Sequence, residues 1–317
     1  MNPLKALAVA CLVFMPVQAK AEYPERPIRL LVPFAAGGVA DLLARLVGQK
    51  VTEMTGKALF VENRTGAGGR IGYEGGARSN PDGYTFVVTD VTYTMFPSLF
   101  AKLPWAADDL VPVTLLGETP FVVASKASAE ANTLPELIAD AKAHPMRLNY
   151  GSAGRGSVNH VVTELFARTG GIQMTHVPYR GMGDAMGGLI GGSLDVMVTA
   201  LPTAMSAAKG GLVKALAVTA ARRVDALPDT PTATEMGLPL VASNWIGLTA
   251  PKGTPAEAVE WVQRHFSAAV AASDVSARFA EQGVQAAGMT PDQFSAFMQD
   301  EGRRWADVIR SANIRAD

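Results

Sequence analysis

From residue 28 to 89, short apolar runs alternate with segments whose apolar positions recur every three or four residues. Ile28-Arg29-Leu30-Leu31-Val32, Ala58 to Val61 and Thr85-Phe86-Val87-Val88-Thr89 read as strands. Val39, Leu42, Leu43, Leu46, Val47, Val51 and Met54 fall on one helical stripe, and Gly56 follows as a stop. A second series runs through Phe121 to Ala124, Arg147 to Tyr150, Gln173 to Val177, Leu194 to Thr199 and Val213 to Thr219, with helical segments between. Trp245 to Thr249 is again extended, and two or three helices are expected from Pro255 to Ser311. Alternation of this kind predicts an α/β protein with a parallel sheet in each of two units. The expected division is residues 22–123 with 241–317 as one domain and 124–240 as the other, so that the C-terminal helices complete the first unit.

The N-terminus changes the picture only by setting the compartment. Met1 to Lys5 is positively charged and Ala6 to Val17 apolar, ending in Ala19-Lys20-Ala21. This predicts a secretory leader (residues 1–21) cleaved near Ala21, and hence a periplasmic mature chain. The single cysteine, Cys11, lies inside that leader, so neither a disulfide nor a thiolate metal site is expected. The 317 residues are 48% hydrophobic, enough for two cores. With 28 basic against 29 acidic residues and no basic runs, a nucleic-acid partner is excluded.

Ligands of open α/β sheets bind beyond the carboxyl ends of strands, where strands hand over to helices. Two such loops are glycine-rich: Pro33-Phe34-Ala35-Ala36-Gly37-Gly38 before the helix at 39–55, and Gly151-Ser152-Ala153-Gly154-Arg155-Gly156-Ser157 before a helix faced by Val158, Val161, Val162, Leu165 and Phe166. Helix starts of this kind bind anions through unpaired amides and the helix dipole. A pair facing each other across a cleft would hold a carboxylate from both sides. Basic side chains are scarce in both loops, so helix ends, hydroxyls and water are expected to make the grip. Gly66 to Gly72 does not fit a dinucleotide fingerprint and has no P-loop lysine after it, and reads as a structural turn.

The stretches VPFAAGGVADLLAR (32–45), VENRTGAGGRIG (61–72), GSAGRGSVNHVVTELF (151–166), HVPYRG (176–181), GGSLD (191–195), LPDTPTATEMG (227–237) and GLTAPKGTP (247–255) carry a resemblance across nearly the whole mature chain. The chain resembles the Bug-type receptors of tripartite tricarboxylate transporters. That resemblance implies a type II periplasmic binding fold, two α/β domains joined by a two-crossing hinge with the ligand cleft between them. It implies a small carboxylate ligand, held partly through water, and a membrane permease as partner. By the same similarity Phe34, Ala35, Gly37, Gly38 and Asp41 line one side and Ser152, Gly154, Ser157, His160, Tyr179 and Gly181 the other. Asp90 follows the third strand and is read as reaching the cleft. The chain departs from the family pattern at Ala36 and Ala40, where proline and threonine are usual, and at 103–109. Many relatives are acidic near Thr199, included here as a ligand candidate, which makes an amino-acid ligand less expected.

Plainer roles compete with these. Asp41 stabilises a helix start with or without ligand, His160 can serve a neighbouring loop, and Ser157 is an N-cap in any case. An acyl-transfer enzyme using Ser152 and His160 is the alternative function, but there is no G-x-S-x-G elbow and no acidic partner for the histidine. The four histidines, His144, His160, His176 and His265, lack metal spacing, and no cofactor is expected. A monomer is expected, with a sensor protein as a further conceivable partner of the closed form.

Overall fold

A computed structural model describes residues 23–316; the leader read at residues 1–21 lies outside them. The chain runs β1 (Ile28–Val32), α1 (Val39–Thr55), β2 (Leu59–Asn63), α2 (Arg70–Ala77), β3 (Thr85–Asp90), α3 (Val91–Leu99), β4 (Leu110–Lys126), α4 (Leu134–Ala143), β5 (Asn149–Ser152), α5 (Val158–Gly170), β6 (Thr175–Pro178), α6 (Met182–Ile190), β7 (Val196–Ala200), α7 (Leu201–Lys209), β8 (Val213–Val218), β9 (Ser243–Pro251), α8 (Ala256–Ala271), α9 (Ser273–Glu281), β10 (Gln285–Ala286) and α10 (Pro291–Ser311).

The architecture is α/β in two lobes. β1 pairs in parallel with β2 and β3, and β5 in parallel with β6 and β7. The sheets are not wholly parallel as the alternation predicts. β4 and β9 run antiparallel to each other and to their other partners. The reason is topological: these two long strands are the passages between lobes and pair directly, without a crossover helix to keep them parallel. β4 pairs with β9 from Leu110 to Pro120, then with β7 from Phe121 to Ser125. It therefore changes lobes at Pro120/Phe121. The return crossing joins it there, because the buried Thr219 hydroxyl accepts from the Phe121 amide (2.9 Å) and donates to the Ala242 carbonyl (2.6 Å).

Three apolar clusters hold this frame. One packs α1 and α8 against the first lobe, through Leu43, Val47, Val262 and Phe266. A second packs α6 and α7 against the second, through Leu189, Met197 and Leu201. The third runs through both lobes, from Tyr73, Phe96 and Trp105 to Tyr150, Val161 and Phe166, with Trp245, Phe294 and Trp305 among its members. α10 thus belongs to a core shared by both lobes. It starts in a complete capping box, Thr290 with Gln293, and its Ser311 hydroxyl accepts from Arg168 of α5 (2.8 Å).

Candidate functional site

Where β1 ends, Gly37 takes φ +85°, a conformation natural only for glycine, and turns the chain into α1. Asp41, buried in the first turn, holds that turn from inside. Its carboxylate accepts from the Gly37 amide (2.9 Å), Arg45 Nε (3.0 Å) and Asn63 Nδ2 (2.8 Å), while Asn63 also donates to the Phe34 carbonyl (3.0 Å). Burial alone would raise its pKa, but the bonds from Arg45, Gly37 and Asn63 outweigh it and hold the carboxyl below the usual carboxylate range. Asp41 shapes the loop; Phe34, Ala35 and Gly38 are what the loop presents, with Gly38 as a helix N-cap that has no side-chain bond.

The second loop is built the same way from different residues. Ser152 is fully buried and its hydroxyl accepts from the Gly154 amide (3.1 Å), lies 3.0 Å from the Gly154 carbonyl and 2.6 Å from His176 Nε2. His160 Nδ1 accepts from the Gly156 amide (3.0 Å), and Ser157 caps α5 while donating to the Gly154 carbonyl (2.7 Å). The His160 and His176 rings stack at 4.0 Å, with Tyr150 against His176. Burial drives the His160 pKa down to about 3, with the neighbouring His176 and Arg155 adding to it, and that of His176 to about 4. Both rings are neutral at pH 7 and act as struts under the loop. The amides of Val158 and Asn159, in the first turn of α5, have no intrahelical acceptor.

Between the two loops lies a cavity of about 550 Å³. Phe34, Ala67, Gly68, Arg70, Asp90, Thr92, Phe96 and Phe100 wall it from the first lobe. Ala153, Arg155, Gly156, Ser157, Val158, Asn159 and Arg180 wall it from the second, and Ala316 of the C-terminal tail completes the wall. Asp90 is buried at the start of α3; its Oδ1 accepts from Tyr73 (2.9 Å) and from the Thr92 amide (3.0 Å). Burial raises its pKa to about 6 against the lowering effect of those bonds, so it is mostly ionised at pH 7.

Of the residues singled out from the sequence, Phe34, Asp90 and Ser157 stand on this wall. Ala35, Gly37 and Gly38 are exposed on the first loop without lining the cavity, Asp41 is buried beneath that loop, and Ser152, Gly154 and His160 support the second. Tyr179 packs away from it, its amide bonded to the Ser152 carbonyl (2.9 Å) and its hydroxyl 3.4 Å from Ser193. Gly181 caps α6. Thr199 is buried in β7, and its hydroxyl has no partner among the described residues. Sequence reasoning passed over Arg70, Arg155 and Arg180. Arg70 lies within the turn read as purely structural, 66–72, which instead brings Ala67, Gly68 and Arg70 to the cavity; Arg155 stood in the quoted loop itself. Basic side chains are therefore not scarce at the site.

The Ser152 and His160 pairing needed for acyl transfer does not form, because Ser152 meets His176 instead, and its full burial denies it a substrate. Among the described residues no cluster of His, Cys, Asp or Glu could hold a metal, and no helix is long and apolar enough to cross a membrane.

Residues 43–314 match the model of the tripartite tricarboxylate transporter family receptor. The chain is 34% identical to Protein BugT of Bordetella pertussis (strain Tohama I) over 99% of both chains. It is similar to a solved R. palustris protein with adipate (30% identity, TM-score 0.85, covering 93% of this chain and 99% of that one). It is similar also to MatC from Rhodopseudomonas palustris with bound malate (33%, TM-score 0.81, 90% and 100%). These likenesses identify the two lobes as the two-domain fold of periplasmic binding proteins. The chain belongs to the tripartite tricarboxylate transporter receptor family of solute-binding proteins.

Proposed function

We propose that this protein is an exported receptor that captures a small carboxylate between its lobes and delivers it to the membrane permease of a tripartite transporter. The observation that carries the reading is the cavity of about 550 Å³ between the lobes, walled by Phe34 and the Ala67-Gly68 turn from one and by the glycine-rich start of α5 from the other. Its size falls in the range of small-molecule sites. A carboxylate there meets the first-turn amides of α5, the Ser157 hydroxyl and bridging water, with Phe34 against its carbon frame. Hydrogen bonds to a charged group contribute about 1.5–3 kcal/mol each, so three or four account for micromolar affinity. Relatives solved with adipate and with malate support this ligand class.

Capture proceeds by closure of the second lobe on the first, about the crossings tied by Thr219. The protein works in the periplasm as a monomer, its leader removed near Ala21, and acts as a receptor rather than an enzyme: Ser152, whose hydroxyl meets the His176 ring, is fully buried beneath the loop. A thermal-shift panel of mono-, di- and tricarboxylates tests this. A ligand at one hundred times its Kd stabilises by about 2.7 kcal/mol, a clear upward shift; no shift with any member would overturn the reading, and turnover of any member would favour an enzyme.

A further inference from the structure

The cavity wall holds three guanidinium groups, Arg70, Arg155 and Arg180, and a single carboxylate, Asp90. With His160 and His176 neutral, the lining carries an excess of two positive charges at pH 7. Among the described residues neither Arg155 nor Arg180 has a hydrogen-bond or ion-pair partner; the same holds for Arg64, Arg222, Arg264, Arg278 and Arg315, but Arg155 and Arg180 alone of these stand on the cavity wall. Arg70 is fixed differently: its guanidinium lies 4.2 Å over the Phe100 ring, which orients the group while leaving its N–H edge for an acceptor. Asp90 supplies the one negative charge of the wall, and its Oδ1 is held by Tyr73 and Thr92, so the excess of two remains for a ligand to answer.

A ligand enclosed between the lobes takes these groups partly out of water, and uncompensated charge in such a place is costly. A monoanion leaves one positive charge unanswered; a dianion leaves none. We propose that Arg70, Arg155 and Arg180 make this cleft selective for a ligand with at least two negative charges, one met by Arg70 on the first lobe and one by Arg155 and Arg180 on the second. The inference rests on the carboxylate-receptor reading above and adds to it the charge of the ligand and the side chains that select it. These side chains, and not helix ends and water alone, set the preference.

Isothermal titration of the mature protein tests it with matched pairs: adipate against hexanoate, glutarate against pentanoate, terephthalate against benzoate. At least one dicarboxylate is expected to bind ten or more times tighter than its monocarboxylate partner, the loss of one charge-assisted contact being enough for that ratio. The preference is expected to collapse toward one in Arg155→Gln/Arg180→Gln and to persist in part in Arg155→Lys/Arg180→Lys. Both arginines are exposed, so an unchanged Tm confirms that the variants are folded. Dicarboxylates and monocarboxylates binding within threefold of each other in the wild type, or an unchanged ratio in the glutamine variant, overturns the charge selectivity alone. Binding of neither class overturns the receptor reading with it.

Discussion

Replacing Asp41 by Asn removes one charge and little volume, and it strikes the group that shapes the first loop. The carboxylate accepts from Gly37, Arg45 and Asn63 at 2.8–3.0 Å while 3% exposed. An asparagine keeps one acceptor and turns an NH2 toward donors, so about two charge-assisted bonds are lost. Each contributes about 1.5–3 kcal/mol, but the Arg45 side chain is 50% exposed and its share is discounted for solvent. The net cost is about 2–3 kcal/mol, which for a chain of this size lowers Tm by roughly 4–6 °C. The sign of the pH dependence follows from the depressed pKa. The stabilisation is complete above the unfolded value of about 4 and is lost as pH falls through the lower folded value. Thermal melts of wild type and Asp41→Asn should therefore differ at pH 7 and converge in strong acid. Ligand affinity should fall together with stability, because the loop loses its shape. Identical melts at pH 7 would refute the role assigned to Asp41.

Thr219→Val cuts both bonds that tie the two crossings; a cost of about 2 kcal/mol is expected, with faster hydrogen exchange at the Phe121 amide, and unchanged protection there would contradict the tie. The depressed pKa values of His160 and His176 make the unfolded chain bind more protons between about pH 6.5 and 4, so stability should decline as pH falls through that window. In His160→Gln/His176→Gln that part of the slope should disappear, measured as Tm against pH. Gly156→Ala puts a Cβ at φ +78° and 2.6 Å from Ala316 Cβ, and should cost about 1–3 kcal/mol. Gly38→Ala, at φ −74° with its nearest neighbour at 3.5 Å, should melt within about 1 °C of wild type.

Local pattern made the first half of the fold readable. The stripe from Val39 to Met54 with Gly56 in the left-handed region, and Ser157 as an N-cap before an apolar face, are signals that neighbouring residues supply on their own. Other elements depend on partners far away in the chain. The stretch from Leu110 to Pro120 contains Pro112, Gly117 and Pro120 and shows no strand period; it is a strand because β9 lies beside it. α3 carries Pro97 and is buried on nearly every side, so it has no amphipathic stripe to betray it.

The site divides in the same way. Both loops stood out by composition, yet which atoms face the cavity depends on contacts no spacing encodes. Asp41 turns inward because Asn63 and Gly37 receive it, and Ser152 because His176 does. Arg70 and Arg180 come from segments separated by more than a hundred residues and line one cavity only because the lobes face each other. One side chain of the loop, Arg155, is in plain view in the sequence; that it faces the cavity depends on the fold.

A crystal structure of the mature protein with the dicarboxylate it binds most tightly is the most direct test of the account. The ligand is expected between Phe34 and Ser157, hydrogen-bonded to residues of both lobes, with Arg70 meeting one negative group and Arg155 or Arg180 the other. A ligand seated outside that cavity, or held by one lobe alone, would contradict it.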